Sequence, residues 1–478
     1  MKDKHRLNIP RFHTISQDKI ELLHLSTLEV MRRTGVAVKE PKALEILKAG
    51  GCVVDGERVR IPAHLIEWAL RNAPPRVTLC TREGDPAVFL EGCNVYFGTG
   101  SDTPNVIDPY TGERRTAVLQ DIVNVSKIVD YLDEISFLMC SGIASDVNSK
   151  TSDLYHFEAM VNNTSKPIVF TAWSMDNLKT IVDMAEVVAG GEEKLRKNPF
   201  IALYTEPISP LQLAAESTEK IVLMAEKSLP VVYTPCLITG ATGPVTLAGG
   251  IIQANAEMLT GYVLANLVNE GTPLVYGGGV GPMDMATGVW SYASPEFMLA
   301  TAALSDMAKH YRLPIFSFAG CSDSKLFDHQ ASLESALWIL IVSLHGGNLV
   351  HDVGYIESGL TTSYEQLVVS NEIAGMVRRI CQGFEVNEET LAMDVIDSVG
   401  PGGEYLTSGH TLQHFKKNWF PDLLSRSPYE RWEHGGKQDL GARARERVKN
   451  IIEKHSPKPL PSEMRAKLHE IVKSKDKG

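Results

Sequence analysis

The stretch IALYTEPISPLQLAAESTEKIVLMAEKSLPVVYTPCL, residues 201–237, contains one complete unit of the predicted fold. It opens with a short apolar run, IALYTEP, and closes with a second run, VVYTPCL. Between them, STEKIVLMAEK carries apolar residues at three- and four-residue steps, which predicts an amphipathic helix. Continuous apolar runs, as opposed to alternating ones, are typical of strands that are covered on both faces. The stretch therefore predicts two parallel strands joined by a helix.

Eight such runs follow one another along the middle of the chain, each ending in Gly, Pro, Ser, Thr or an acid. They are NVYFGTG near Asn94, SFLMCSG near Ser136, IVFTAW near Ile168, IALYTEP near Ile201, VVYTPCL near Val231, LVYGGGV near Leu274, IFSFAG near Ile315 and LVHDVGY near Leu349. Their spacing of roughly 30 to 45 residues leaves room for a loop and a helix in each unit. Eight units in a row predict an α/β fold, a (β/α)8 TIM barrel. The alternative, a doubly wound open sheet, rarely needs eight evenly repeated units.

The segments that flank the runs predict two additions to the barrel. Residues 1–90 contain two helical stretches and a hairpin around Asp55-Gly56, which we interpret as an N-terminal cap. The barrel itself is expected over residues 91–380. Residues 381–478 read as a charged, C-terminal helical extension packed on the barrel, and the polar stretch at its end is expected to wrap the barrel or fray.

The composition excludes several classes of function. The net charge of −11 repels nucleic acid phosphates and anionic membranes, so neither is expected as a partner. No stretch approaches the roughly 18 uninterrupted apolar residues of a membrane span, and the N-terminus lacks the apolar segment of a secretory signal. The seven cysteines are scattered and form no CxxC pair, which favours a reducing cytoplasm and argues against a structural zinc site. The sequence leaves the oligomeric state open, with a homo-oligomer as one alternative.

Aromatic residues are concentrated where the predicted strands end, which is where barrel enzymes place their active sites. Several electron-rich rings around one mouth would attract a quaternary ammonium by cation–π interaction, worth roughly 0.5–2 kcal/mol per desolvated ring. Because strands alternate, about half of these rings could instead point into the helix layer. The candidate substrate-binding rings are Tyr96, Phe97, Trp173, Tyr204, Tyr233, Tyr276, Phe318 and Tyr355.

Polar residues crowd the same strand ends. Glu206 ends the fourth run and His351 lies inside the eighth, and both are candidate substrate-binding residues. The alternatives are a buried acid that accepts from a backbone amide and a hydrogen-bonded core histidine. The remaining polar residues at these positions are Asp102, Ser322, Asp323, Ser324, Lys325, Asp352 and Glu357.

Glycine-rich stretches match neither the dinucleotide fingerprint nor the phosphate-binding P-loop. GGGVGP, residues 277–282, is interpreted as a strand-end loop that gives backbone access to a ligand, whereas GPGG, residues 400–403, predicts a turn. We expect the backbone of Gly277, Gly278 and Gly279, with Ser322 and Asp323, to face a cofactor. No GxSxG, HExxH or His/Cys cluster is present, so no metal site is expected.

Four longer segments resemble the trimethylamine methyltransferase family. They are YTEPISPLQL, GCSDSKLFDHQASLESA, GGNLVHDVGYIESGLTTSYEQLVVSNEIAGMVRR and VNEETLAMDVIDSVGPGGEYLTSGHTLQHF. The resemblance covers almost the whole chain. It implies a barrel fold and methyl transfer to a cognate corrinoid protein that carries the methyl group on cobalt. The chain itself lacks the DxHxxG pattern of corrinoid carriers, since Leu349 stands where the Asp would be, so the cob(I)alamin is expected on the partner protein and not on this chain.

One departure from the family bears on the substrate. Members that act on trimethylamine contain pyrrolysine, whereas this sequence has standard residues throughout and so resembles the non-pyrrolysine branch, most closely its glycine betaine methyltransferases. A quaternary ammonium needs no exotic residue, because it already carries a neutral amine as its leaving group. The expected reaction is therefore methyl transfer from glycine betaine, giving dimethylglycine.

Several alternatives stay open at this point. Proline betaine, carnitine and γ-butyrobetaine share the same cationic head as glycine betaine. The carboxylate of a betaine would need a hydrogen-bond donor when buried, and His351 or the amides of Gly277–Gly279 are the candidates. A Schiff-base barrel lyase would need a lysine at a strand end, for which Lys325 is the only near candidate. A non-catalytic protein that binds a betaine or docks a corrinoid is the third possibility.

Overall fold

A closed parallel barrel forms the centre of the molecule, as the eight apolar runs predict. The computed structural model describes residues 12–476. The barrel strands are β1 (Tyr96–Gly98), β2 (Ile135–Phe137), β3 (Ile168–Phe170), β4 (Ile201–Thr205), β5 (Val231–Tyr233), β6 (Leu274–Gly277), β7 (Ile315–Phe318) and β8 (Leu349–His351). They pair in parallel in the order β3-β4-β5-β6-β7-β8-β1-β2, and a parallel bridge between Leu138 and Ile168 joins the two ends of the ring. The predicted fold is confirmed.

Alternation along each strand divides the side chains between two cores. In β5, Val232 belongs to the core that fills the barrel, whereas Val231 and Tyr233 belong to the core between barrel and helices. β6 follows the same pattern, with Val275 inside and Tyr276 outside. This double burial explains why the runs are continuously apolar.

One helix follows each strand. The barrel helices are α1 (Leu119–Tyr131), α2 (Ser152–Asn163), α3 (Met175–Ala189), α4 (Ala215–Glu226), α5 (Leu247–Val268), α6 (Pro295–Tyr311), α7 (His329–His345) and α8 (Tyr364–Cys381). The longest, α5, packs so closely on β5 that a Cβ at Gly261 would lie 2.2 Å from the Tyr233 ring. Glycine at this position allows the close approach of helix and strand.

The residues before the barrel form three helices and a set of short strands. The helices are Gln17–Arg33, Pro41–Ala49 and Ala63–Asn72. The hairpin predicted around Asp55-Gly56 is present as Val53–Asp55 and Arg58–Arg60, and Val36–Val38 pairs with both Arg58–Arg60 and Gln212–Leu213. A second hairpin, Val77–Cys80 with Pro86–Leu90, shares a core with the interior residues of the barrel strands and so fills the end opposite the strand C-termini.

Short strands also elaborate the loops at the C-terminal ends of the barrel strands, which we call the mouth. Cys236–Thr239 pairs with Gly279–Pro282, and a second sheet joins Asn105–Ile107, Arg114–Thr116, Tyr355–Ile356 and Thr361–Thr362. A short helix, Glu192–Lys197, precedes β4, and a 3-10 turn spans Glu357–Gly359. These additions hold the loops of the mouth in place.

Beyond α8 the chain is helical, as predicted, but its helices differ in how they pack. Leu440–Lys454 and Ser462–Asp476 pack on the outside of the barrel helices and bury apolar residues there. The helices between them and α8 are Glu388–Leu391, Met393–Val399, Gly409–His414, the 3-10 turn Phe415–Lys417 and Tyr429–His434. Within residues 12–476, no helix is both long and apolar enough to cross a membrane. The division of the chain into units at residues 90 and 380 stays a prediction.

Candidate functional site

Three carboxylates, one histidine and two thiols meet inside the mouth. They are Asp102, Glu206, Asp352, His351, Cys140 and Cys236, from the ends of five different strands. Their convergence follows from the topology, because the carboxyl ends of parallel barrel strands all open on the same face. We treat this cluster and the rings around it as the candidate site.

Glu206 lies at the end of β4, where the alternation of the strand directs it into the barrel. The hydroxyl of Tyr204, two residues earlier on the same face, donates to its Oε1 atom, and the Cys236 thiol donates to the same oxygen at 3.1 Å. Burial raises the pKa of the Glu206 carboxyl above its usual range, although both hydrogen bonds oppose that rise. Burial also raises the pKa of the Cys236 thiol well above its usual value, so the thiol is a donor and not a nucleophile.

Asp102 follows β1 in a left-handed backbone conformation, with φ of 61°. Its Oδ1 atom accepts from the Cys140 thiol at 3.2 Å and from the Thr171 hydroxyl at 3.3 Å. Burial raises the pKa of the Asp102 carboxyl, and these hydrogen bonds lower it. Asp102 is thus a second acid held in the wall of the mouth.

His351 ends β8 and points into the barrel between two rings. Phe316 stacks on it with centroids 4.1 Å apart, and Phe318 meets it edge-on at 4.3 Å. Its Nδ1 atom lies 2.7 Å from Oδ1 of Asp352, without the geometry of a hydrogen bond. Among the described residues the buried Nε2 atom has no hydrogen-bond partner. Because buried imidazoles normally have both nitrogens satisfied, Nε2 is a candidate contact for a ligand.

Asp352 is the most buried of the three acids, at 1% exposure. Its Oδ2 atom accepts from the Tyr292 hydroxyl at 2.6 Å. Gly100 leaves the space that this carboxylate occupies, since a Cβ there would lie 2.3 Å from Oδ1 of Asp352. The three acids therefore have different environments, but all of them face the same mouth.

Three of the eight predicted rings lie in the mouth. Tyr204 and Phe318 surround His351, and the Tyr355 hydroxyl donates to the carbonyl of Ser101 beside Asp102. Sequence reasoning did not select Phe316, Tyr292, Trp290 and Phe297, which complete the aromatic wall. Phe316 could have been found by alternation, because it lies two residues before Phe318 on the same face. Trp290 and Tyr292 come from a long loop that strand patterns do not describe.

The other five rings lie elsewhere. Phe97, Tyr233 and Tyr276 are on the outer face of their strands, and the Tyr276 hydroxyl donates to Asn255 of α5. Tyr96 faces the barrel interior at the start of β1, the end far from the mouth, and Trp173 is exposed at the outer edge of the mouth, with its indole nitrogen donating to Ser152. We therefore leave these rings out of the candidate site.

The residues predicted to face a cofactor are held by contacts within the protein. The amides of Gly277 and Gly279 donate to Met258 Sδ at 3.2 Å and to the Pro235 carbonyl at 2.8 Å. Positions 277–279 are also tightly packed, since a Cβ at Gly277 would lie 2.0 Å from the Phe316 carbonyl oxygen. This placement favours His351 over these amides as the donor to a substrate carboxylate.

Ser322 and Asp323 shape the mouth in a similar way. Ser322 donates to Glu334 at 2.5 Å, and Asp323 accepts from the amides of Tyr292 and Ala293 at 3.0 and 3.2 Å. Asp323 thereby fixes the loop that presents Tyr292 to the candidate site. Its position indicates support of the site and gives no indication of cofactor contact.

Asp102, Cys140 and His156 offer three ligand atoms within 4.8 Å of one another. These three could hold a soft cation by distance. In this structure, however, His156 Nε2 accepts from the Ala144 amide at 3.1 Å, and the Cys140 thiol donates to Asp102. The three groups are thus satisfied by the protein, and the expectation of no metal stays a prediction.

The comparisons with known proteins identify the family. A family model described as trimethylamine methyltransferase (MTTB) matches residues 2–478. The chain belongs to this family. It is 35% identical to the trimethylamine methyltransferase MttB of Desulfitobacterium hafniense (strain DSM 10664 / DCB-2), over 96% of this chain and 92% of the relative. It is 29% identical to the glycine betaine methyltransferase of D. hafniense (strain Y51), over 98% of both chains. The predicted family resemblance is confirmed.

A solved structure is also similar. The crystal structure of the Methanosarcina barkeri monomethylamine methyltransferase (MtmB) matches with a TM-score of 0.46 and 12% identity, over 96% of this chain and 93% of that chain. The two relatives from D. hafniense are named as methyltransferases of trimethylamine and of glycine betaine, and by its family this chain is a methyltransferase of the MttB type.

Membership of the family agrees with the chemistry of the candidate site. Three acids and a set of rings around one opening make an environment that favours a cation over a neutral or anionic molecule. A methylated amine in its cationic form is such a molecule. No group in the cluster is placed as an activated nucleophile, since burial raises the pKa values of both thiols.

Proposed function

We propose that this methyltransferase moves a methyl group from a quaternary amine to the Co(I) of a corrinoid held by a separate protein. The observation that supports this proposal most strongly is the convergence of Asp102, Glu206 and Asp352 on a mouth lined by aromatic rings. Cationic head groups are attracted both by carboxylates and by the faces of such rings. The role of this chain is then to hold the cation in line and to exclude water, which is catalysis by positioning.

The chemistry needs no general acid from the protein. The methyl–nitrogen bond breaks with both electrons going to nitrogen, so a quaternary amine leaves as a neutral tertiary amine. The Co(I) acceptor supplies the electron pair of the new carbon–cobalt bond and is thereby oxidised to Co(III). The carboxylates of the mouth would stabilise the cationic donor, and the rings would direct one methyl outward.

The surroundings of the mouth fit an acceptor that arrives on another protein. Six of the eight strand–helix connections carry an exposed aliphatic, methionine or tryptophan side chain, namely Trp173, Ile208, Val245, Met285, Leu326 and Leu360. Isolated exposed apolar residues are ordinary, but a ring of them around one opening is typical of an interaction surface. We propose that this rim docks the corrinoid protein, although the chain as a whole is acidic.

Glycine betaine is the first candidate donor, because a full-length relative is named a glycine betaine methyltransferase. In this proposal, Nε2 of His351 donates to the carboxylate of the betaine. A second candidate is a quaternary amine without a carboxylate, such as choline. It is favoured by the three acids of the mouth, which would repel a second anion.

A panel of donors separates these candidates. The purified chain would be incubated with reduced cobalamin and glycine betaine, proline betaine, carnitine, γ-butyrobetaine, choline or trimethylamine, and methylcobalamin followed by absorbance. We expect turnover with at least one quaternary amine and none with trimethylamine. Turnover with choline alone would show that carboxylate recognition is not part of the site, and turnover with trimethylamine alone would overturn the proposal.

The other functions considered from the sequence have less support. A Schiff-base lyase would need a buried lysine in the mouth, yet Lys325 is exposed and donates to the carbonyl of Asp323 at 2.7 Å. A non-catalytic binding protein would be indicated if a quaternary amine bound and no methyl group moved in the presence of reduced corrinoid.

A further inference from the structure

Residues 384–418, which we call the arm, extend from the end of α8 without packing on the rest of the described chain. No residue of the arm is buried, and the most exposed of its large apolar side chains, Phe384, is 85% exposed. Within residues 12–476, the hydrogen bonds of the arm join its own residues, such as Gln413 to Glu389 and Thr411 to Tyr405. Among the described residues, the arm therefore has no hydrogen bond to the barrel of its own chain between its two ends.

The composition of the arm is not that of a free segment in water. Its exposed large apolar side chains are Phe384, Val386, Leu391, Met393, Ile396, Tyr405, Leu406, Leu412 and Phe415. Its helices have 4, 7 and 6 residues. Isolated helices shorter than about 12 residues are marginal in water, and their stability in proteins comes from packing of an apolar face. The arm thus has the properties of a segment that is covered in the functional protein.

Within residues 12–476, a second exposed apolar surface lies on α7 and ends at Leu344, whose carbonyl accepts from the amide of Phe12. Leu333 and Leu337 are exposed, and Leu340, Ile341 and Leu344 continue the same side of the helix half-buried against the core of their own chain. We call these five residues the α7 stripe. A helix on the outside of a soluble barrel normally turns polar residues to solvent, and one that is apolar on every side is normally covered.

We propose that the arm of one copy of this chain packs on the α7 stripe of a second copy. Two complementary apolar surfaces on the same chain allow a closed two-fold dimer, in which each arm covers the stripe of its partner. The area is adequate: each covered side chain of this size removes on the order of 100 Å² from water. The nine of the arm and the two exposed leucines of the stripe then account for up to about 1,100 Å² on each partner, which is enough for the roughly 800 Å² per partner of a standard interface.

The position of the arm favours a second copy over the corrinoid protein. Barrel helices run back from the mouth, so α8 ends at Cys381 on the far side of the barrel, and the arm begins there. A corrinoid must approach the mouth to reach the substrate. The chain returns to the middle of α8, where the amides of Asp422, Leu423 and Leu424 donate to Glu372. The arm is therefore anchored at both ends beside the barrel wall.

The test is the mass of the full chain in solution, measured by light scattering after size exclusion at micromolar concentration. We expect the parent to have at least twice the chain mass of 52.5 kDa. The arm variant Leu406→Glu/Leu412→Glu and the stripe variant Leu333→Glu/Leu337→Glu should each shift to the mass of one chain. Leu22→Glu/Leu25→Glu, an equally exposed pair on the first helix, is the matched control and should leave the mass unchanged.

Cross-linking of the unaltered chain keeps the proposal testable if a variant fails to fold. In a mixture of 14N- and 15N-labelled copies, cross-links between Lys416 or Lys417 in the arm and a lysine near the partner's stripe should join light to heavy peptides. A monomeric parent, an oligomer that neither variant pair dissociates, or cross-links only within one copy would overturn the proposal. So would an arm variant that loses the corrinoid protein while its own oligomer persists.

Discussion

The contribution of Glu206 to cation binding can be tested by the substitution Glu206→Gln, which removes the charge and keeps the shape. A quaternary nitrogen about 4 Å above the face of Tyr204 would lie about 6–7 Å from this carboxylate, because the Tyr204 hydroxyl, at the edge of the ring, donates to it. Two unit charges at that distance interact by about 2.5 kcal/mol at an effective dielectric constant of 20. Partial exposure and incomplete ionisation reduce this to about 1–2 kcal/mol. The variant should therefore bind the cation about 5- to 30-fold more weakly.

The assay is calorimetric titration of the parent and the variant with the preferred quaternary amine and with its neutral carbon analogue. Only the binding of the cation should weaken. Glu357→Gln is the matched control, because Glu357 also lies at the mouth but is already paired with Arg114 at 2.7 Å. A folded Glu206→Gln variant that binds the cation within twofold of the parent would refute the reasoning.

The pH dependence gives a second check on the same residue. Only the ionised carboxylate attracts a cation, and burial raises the pKa of Glu206 above its usual range. The advantage of the parent over Glu206→Gln should therefore shrink as the pH falls, and it should begin to shrink above the ordinary carboxyl pKa of about 4.3. An advantage that stays constant down to that pH would show that Glu206 is not the group that titrates.

Three further predictions concern the support of the site and of the barrel. Tyr292→Phe removes the donor to the buried Asp352 carboxylate and should reduce the free energies of unfolding and of amine binding by about 1–3 kcal/mol in total, seen as a lower melting temperature and a weaker affinity. Unchanged values would contradict this role. Gly261→Ala should lower the melting temperature because its Cβ meets the Tyr233 ring, whereas Gly375→Ala on α8, whose Cβ would lie 3.4 Å from the nearest atom, should not. Burial lowers the pKa of His345 to about 3, so the unfolded chain binds more protons than the folded chain between about pH 6.5 and that value, and stability falls as the pH falls through this window. His345→Leu should reduce that loss by up to about 1.4 kcal/mol per pH unit in denaturant titrations, and an unchanged acid dependence would exclude His345 as its source.

The barrel could be predicted from the sequence because both faces of its strands are buried. Each strand then reads as a continuous apolar run, and eight runs with helical spacers fit one architecture. The sequence pattern predicts neither the helix Pro41–Ala49 nor the hairpin of Val77–Cys80 with Pro86–Leu90. The strands of that hairpin are short and alternate in burial, so they resemble the loops around them.

The candidate site could be predicted only in part. The positions of Glu206 and His351 in the cluster can be predicted because strand ends in a barrel converge on one mouth. The rings divided between two faces, since a run such as VVYTPCL does not show which residue of the strand points inward. Tyr233 and Tyr276 therefore face helices, whereas Phe316, two residues before Phe318, has the inward register. The position of Tyr292 in the site could not be predicted, because it depends on a hydrogen bond to Asp323, 31 residues away in the sequence.

The exposure of the arm could not be predicted either. Its sequence has the helical pattern of a packed extension. That pattern indicates only that some apolar surface covers the helices. Whether the surface belongs to the same chain is a property of tertiary structure. The helix Leu440–Lys454 buries Val448 and Ile451, whereas the arm helices bury none of their residues.

The most direct test of the proposed function is the fate of one labelled methyl group. The full chain would be given its preferred quaternary amine with a 13C-labelled methyl, together with the reduced corrinoid protein, the oxidised corrinoid protein or no acceptor. We predict one equivalent of methyl–cobalt and one of tertiary amine with the reduced protein, and neither product in the other two reactions. Formation of the tertiary amine at the same rate in all three would contradict corrinoid-dependent transfer and would indicate a hydrolytic or lyase reaction at the same mouth.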